Sequence, residues 1–389
     1  MIIRILKELR DVFWRRHFFQ YDYFCTTNTL SECWLVVKAL LKREPLKDGR
    51  YIRLYEKEAA KVMGCKYGYS FATGRQALYA ILKALGIGEG DEVLIQAFTC
   101  VVVPRAVMYV GAIPVYVDID RKSFNMDSEQ IRQHIGSRTK AIIVQHTFGR
   151  AAEIGYIQEI ADYYGLFLIE DCCHAVGCKW HGKPLGSFGD ASFYSSDHTK
   201  MISTSTGGVA FTNSERVAKR IEENRGSYLS NFTILRILFT FIVETIITHP
   251  RLYWCLKLLR ECLNRTKILY FFRDENSEER PRNYPARFSN IQALIGLSQL
   301  RGLEDNLAKR AKCSGEGVPL LRKALVVESE EARDLLIKND KYFVAGCWYN
   351  SPVFGCEDLS SVKYKVGSCP VAEEVSAKVV NLPTHHTIR

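Results

Sequence analysis

Between about residues 50 and 215 the apolar positions fall into blocks of two alternating kinds. One kind repeats with helical spacing, over 76–85 up to Gly86, over 104–109 and over 154–164. The other kind is a short unbroken apolar run, at 92–95, 114–118, 141–145, 166–170, 191–194 and 209–212. Runs rich in Val, Ile and Leu with no polar alternation are strands covered on both faces. Their interleaving with helices predicts a mostly parallel sheet flanked by helices, an α/β fold. In such sheets ligands bind off the carboxyl ends of the strands.

Outside this stretch the pattern changes. Residues 1–50 are helical in pattern and rich in Phe, Trp, Tyr and Arg. Two apolar stretches, 234–247 and 252–263, are split at His249 and Pro250. Each carries charges and is shorter than the roughly 20 apolar residues that span a bilayer, so the pair reads as an inserted helical hairpin. The expected division is an N-terminal helical segment (1–50), a large domain (51–232), the hairpin (233–271), a return to the large domain with a connecting helix (272–310) and a small C-terminal α+β domain (311–389).

Composition adds bounds. With 389 residues, 47% hydrophobic and 25% charged, the chain reads as globular material, which disfavours a disordered or membrane-spanning class. A net charge of +10 favours an anionic partner: nucleic acid, an anionic membrane or a phosphorylated substrate. No nucleic-acid recognition motif accompanies it, so no nucleic acid is expected. The hairpin's apolar stripe reads first as packing against the N-terminal helices or a dimer mate. A second reading lays it, with Trp14, Arg15, Arg16, Phe18 and Phe19, on an anionic membrane. Thirteen Cys without a CxxC pair point to a reducing cytoplasm and no metal site, with contact at the inner face of the membrane as the second reading.

The candidate chemistry centres on Lys200, which follows a strand-like segment and precedes Gly207 and Gly208. A lysine that attacks an aldehyde needs a rigid, partly dry site where its neutral form is accessible. Asp171 closes the strand at 166–170, where a carboxylate can hold a pyridine nitrogen protonated; the bland alternative is a helix cap or solvated strand end. His174 could hydrogen-bond a phenolic oxygen of the same ring, or be structural. Gly74 and Arg75 open a helix whose free N–H groups and dipole favour a phosphate, unless this is an ordinary helix start. Ser195, five residues before Lys200, is a second phosphate donor. In this order the four signals read as a pyridoxal phosphate site.

Gly74 with Ala77 and Leu78, the segments 86–93, 111–120, 138–143, 146–149, 170–175 and 186–200, then 287–300, Cys369-Pro370 and Leu382-Pro383 resemble the DegT/DnrJ/EryC1/StrS family. These are PLP-dependent sugar aminotransferases of fold type I. The resemblance implies that Lys200 is the Schiff-base lysine and that Asp171 pairs with the pyridinium nitrogen. It puts His174 near the ring oxygen and gives the phosphate to Ser195, Gly74 and Arg75. It further implies a homodimer with shared sites, and amino transfer from glutamate or glutamine to the keto group of a nucleotide-linked sugar, the family's usual reaction, for polysaccharide or secondary-metabolite biosynthesis. Lys200 is selected over His198, the histidine of dehydratase relatives, by its spacing from Ser195.

Four departures accompany the resemblance. The position of the aromatic that stacks on the cofactor falls on Cys100, with Phe98 the aromatic nearby. Pro285 stands where an asparagine is usual, and Thr206 where a glutamate is. The chain stops at Arg389, short of the last family helix. These leave a second functional reading, a cofactor-binding family member with a weakened or regulatory role.

Overall fold

The computed structural model describes residues 21–22, 27–247, 269–270, 277–282, 284–339, 343–344 and 346–384. The aromatic and basic residues from Trp14 to Phe19 and the expected second hairpin arm, 252–263, lie outside the described residues.

Nine strands form the central sheet: β1 (Tyr67–Phe71), β2 (Glu92–Gln96), β3 (Ile113–Val117), β4 (Thr139–Gln145), β5 (Phe167–Asp171), β6 (Ala191–Ser195), β7 (Gly208–Thr212), β8 (Ser227–Tyr228) and β9 (Ala286–Arg287). Their spatial order is β8-β9-β1-β7-β6-β5-β4-β2-β3. From β6 to β3 all neighbours are parallel. β7 is antiparallel to both β6 and β1, so β1 points the same way as the parallel block. The carboxyl ends of β1 to β6 and the amino end of β7 therefore share one edge.

The apolar runs explain this arrangement. Val93, Leu94 and Ile95 of β2 and Ala141 to Val144 of β4 are buried along their whole length, as strands covered on both faces must be. Helix α3 (Gly74–Leu85) buries ten of its twelve residues, because it lies across β6 and β7 with α4 (Val102–Tyr109) and α6 (Glu215–Glu223) alongside. Thr73 caps it, its Oγ1 accepting from Gln76 N–H at 3.4 Å, and Gly86 closes it with φ 82°. α5 (Ile154–Tyr164) spans the expected range. Most ends differ by a residue or two; α4 begins at Val102, not 104, because proline is tolerated in a first turn.

Around this core, α1 (Leu30–Leu41) and α2 (Arg50–Val62) precede the sheet, and α7 (Asn231–Ile247) and α8 (Asn290–Arg301) follow β7. α7 is the expected first arm of the hairpin. Its Ile234, Leu238 and Phe241 pack with Cys33, Val36 and Ala39 of α1 and with Ile291 and Ile295 of α8 in a second small core. Among the described residues no helix is long and apolar enough to cross a membrane.

In the C-terminal part, β10 (Arg322–Val326) pairs antiparallel with β11 (Val379–Pro383), outside the central sheet. The chain between them returns to the central body. Gly346 bridges to Asn381 of β11, and Val353–Phe354 pairs with Thr99–Cys100 just beyond β2.

Candidate active site

A cavity of about 360 Å³ opens at the shared strand edge, and Gly74, Arg75, Asp171, His174, Ser195 and Lys200 all line it. Topology delivers them. Gly74 and Arg75 begin α3 after β1, Asp171 ends β5, Ser195 ends β6, and Lys200 sits in the turn between β6 and β7.

The glycines make a close-packed cradle. A Cβ on Gly74 would lie 2.7 Å from Ser195 Cβ; one on Gly208 would lie 2.5 Å from Gly74 N and 2.7 Å from Thr73 C. The first turn of α3, the end of β6 and the start of β7 are thus in backbone contact. Thr206 Oγ1 donates to Ala72 O at 2.9 Å, tying the returning strand to the same corner. Helix N–H groups, the helix dipole and the Ser195 hydroxyl meet there, and Arg75 lines the same cavity, a set suited to a phosphate.

Across the cavity, Asp171 is 4% exposed and accepts from Cys173 N–H at 2.9 Å. Burial pushes its carboxyl above the ordinary value; the Cys173 donors and the charge of Lys200 oppose that rise. A buried carboxylate in this place suits a cationic ring nitrogen. Burial, then the positive Lys200 and Arg322, hold His174 well below the ordinary histidine value, so its ring is neutral. Its Nδ1 accepts from Phe148 N–H at 3.3 Å, so the proton is on Nε2, which can donate. Beside Lys200, burial alone would raise Asp197, but a 2.9 Å contact with His198 outweighs it and holds the carboxyl at about 2.

One wall was not legible in the sequence. Trp348 and Tyr349 come from the C-terminal part and line the cavity together with Cys100 and Tyr270. Lys200 Nζ stands 4.7 Å from the centre of the Trp348 ring. Phe98, the aromatic near the expected stacking position, is fully buried and absent from the cavity wall; Cys100 is on that wall. The reason is local backbone: Phe98 has φ 59°, which turns it into the core. Four of the eight non-glycine residues with left-handed φ among the described residues are aromatic, namely Phe98, Phe124, Phe148 and Tyr349. They pack on one another, with Phe98 to Tyr349 at 5.0 Å and Phe98 to Phe124 at 5.9 Å between ring centres. Each such conformation costs on the order of 1–3 kcal/mol and gathers at functional sites.

Behind Asp171, Glu170 is fully buried. It accepts from the N–H groups of Gly186, Phe188 and Gly189 at 2.7, 2.7 and 2.9 Å and meets His146 Nε2 at 3.2 Å. His146 Nδ1 accepts from Ala152 N–H at 3.1 Å. With Cys172 these residues form a compact His-Glu-Cys group, but the carboxylate and both imidazole nitrogens are engaged in this frame. Its role is to hold the 186–189 loop against the end of β5.

The model of the DegT/DnrJ/EryC1/StrS aminotransferase family matches residues 31–325. The chain belongs to that family. It is 33% identical over 267 residues to the GDP-perosamine synthase of Caulobacter vibrioides, covering 69% of this chain and 61% of that one. It is 37% identical over 262 residues to the GDP-perosamine synthase of Escherichia coli O157:H7, covering 67% and 60%. The matches thus span about three-fifths of those relatives' length. Among solved structures, NtdA of Bacillus subtilis with bound cofactor PMP superposes with a TM-score of 0.71 at 20% identity, over 94% of this chain and 79% of that one. At that identity the likeness speaks for the fold, which is fold type I of the PLP-dependent transferases.

Proposed function

We propose that this family member is a PLP-dependent aminotransferase that moves an amino group from glutamate or glutamine to the keto group of a nucleotide-linked sugar. The observation that carries the reading is the pairing, in one cavity, of Lys200 with the buried carboxylate Asp171, opposite a backbone cradle at Gly74, Ser195 and Gly208. The residues fit the group: the cradle is sized by glycines for close approach of an anion, and the buried carboxylate of Asp171 lines the same cavity. The family and the names of the relatives support the sugar.

Pyridoxal phosphate, when bound, supplies a reactive aldehyde carbon and an electron-withdrawing pyridinium ring. The first-turn N–H groups of α3, Arg75 and Ser195 Oγ would hold the phosphate. Asp171 would stabilise a proton on the ring nitrogen, and His174 Nε2–H would be the donor for the ring oxygen. Lys200 Nζ would be the amine that holds the aldehyde and the base and acid available to a substrate carbon. A homodimer with shared sites is part of the same proposal, supported by the family; Pro285, where an asparagine is usual, would bring the neighbouring site no side-chain donor.

The test is spectroscopic and chemical. The purified protein should carry the cofactor's visible absorbance, L-glutamate or L-glutamine should convert it to the amine form, and borohydride should fix the cofactor on the peptide containing Lys200. Lys200→Ala should lose the fixation while folding normally. Fixation at another lysine, or no conversion by either donor, would overturn the reading and favour a regulatory family member.

A further inference from the structure

α7 turns an apolar face to solvent. At about 100° per residue, Phe232, Leu235, Phe239, Ile242 and Ile246 fall within roughly 80° of arc. Phe232 is 70% exposed, and no charged residue of α7 is exposed, since Arg236 is half-buried and Glu244 is buried. The neighbouring α1 carries a matching stripe. Leu30, Trp34 and Leu41 stand on one side of it, Trp34 63% and Leu41 75% exposed. The two helices bury their opposite sides together against α8, so both stripes border one outward face. Half of the fourteen exposed large hydrophobic side chains among the described residues sit on these two helices, a concentration that marks a contact surface rather than scatter.

We propose that this face rests on an anionic lipid bilayer, lying on the surface without crossing it. The charge beside the stripe selects that occupant. Lys38 and Lys42, at i+4 and i+8 from Trp34, are exposed along its edge with Arg43 just beyond, while the acidic residue of α1, Glu32, is buried. Lysine stems so placed cover apolar surface while their ammonium groups reach lipid phosphates. In sequence, the stretch that follows α7 adds Arg251, Lys257, Arg260, Arg265 and Lys267 against the single acid Glu261. A second copy of the chain fits less well. A two-fold contact sets the same cationic rim against itself, with no exposed carboxylate on either helix to answer it. On its buried side α7 is tied to the cavity. Tyr270, on the cavity wall, donates its N–H to Thr240 Oγ1 at 2.8 Å, and the Arg236 guanidinium lies 5.3 Å from the centre of the Tyr270 ring. α7 thus joins the bilayer face to the cavity wall, whatever chemistry the cavity performs.

The test is flotation of the full chain with vesicles of phosphatidylcholine alone and of phosphatidylcholine mixed with phosphatidylglycerol. The native protein should float with the anionic vesicles, less so as salt rises, and little with the neutral ones. Lys38→Gln with Lys42→Gln should weaken anionic binding roughly twentyfold, at about fivefold for each cation. Phe232→Ser with Phe239→Ser should weaken it at least about tenfold through lost apolar burial. Both side chains are exposed in the free protein, so circular dichroism should be unchanged, and Trp34→Gln serves where that pair does not fold. Trp34→Phe should remove most of the blue shift in tryptophan fluorescence on adding anionic vesicles. Failure of the native protein to bind anionic vesicles at low salt would sink the proposal, as would native binding by the phenylalanine pair variant or by Trp34→Gln. A smaller assembly in light scattering for the pair variant, with no vesicle binding by the native protein, would assign the face to a second copy instead.

Discussion

Gly208→Ala is the sharpest test of the cradle, because its cost can be worked out from neighbouring atoms. The new Cβ would stand 2.5 Å from Gly74 N and 2.7 Å from Thr73 C, where ordinary contact begins near 3.4 Å. Strand and helix must therefore part by about 1 Å. Neither can yield cheaply: Gly208 is paired with Ser195 of β6 on one side and with Phe71 of β1 on the other. Overpacking of this kind costs about 1–3 kcal/mol, with the upper end expected where the obstacle is backbone. The same movement carries the first turn of α3 away from its anion. A displaced charge-assisted hydrogen bond is worth about 1.5–3 kcal/mol, so cofactor affinity should fall about tenfold or more. Gly86→Ala is the control. Its φ of 82° also resists a side chain, at roughly 1–2 kcal/mol, but nothing lies within 4 Å of the new atom and it is at the far end of α3. Urea unfolding and pyridoxal phosphate titration of both variants separate the effects. Native affinity in Gly208→Ala, or an equal loss in Gly86→Ala, would refute the cradle.

Two further outcomes are expected. Asp171→Asn should make the apoprotein more stable at neutral pH while weakening cofactor binding. The folded carboxyl is raised above its ordinary value of 3.8, so the stability it contributes is fully present below that value and is lost as pH rises through the folded value. The advantage of the asparagine variant should therefore grow from acid toward neutral pH in thermal melts, and a pH-independent difference would contradict the burial argument. Glu170→Gln should cost about 3–5 kcal/mol in urea unfolding, because any orientation of the amide turns its NH₂ toward backbone donors now served by the carboxylate; a loss under 1 kcal/mol would mean that the loop relaxes freely.

What the sequence disclosed, and what it did not, follows from the range of the interactions. β2, β4 and α3 were legible because their apolar residues are contiguous and buried on the spot. Asp171, Ser195 and Gly74 were legible because each stands at the end of a local element, and Lys200 because it follows one such end at short spacing; parallel topology brings these ends to one edge. Trp348 and Tyr349 carry no such mark. They reach the cavity only because Val353–Phe354 pairs with Thr99–Cys100, a two-residue ladder between distant parts of the chain. The same ladder, with the left-handed turn at Phe98, explains why the nearest aromatic in sequence is not an aromatic of the site. The 233–271 insert reads first as packing and second as a membrane surface; its first arm packs on α1 and α8, and Tyr270, near its end, lines the cavity, its N–H donating to Thr240 Oγ1 at 2.8 Å.

The two sides of the cavity should therefore differ in what they tolerate. The cradle is backbone, held by the central sheet, so a change there reaches folding and anion binding together. The aromatic wall is made of side chains delivered by a clamped segment, and its left-handed Tyr349 is sustained by burial against the left-handed Phe98 and Phe148 behind it.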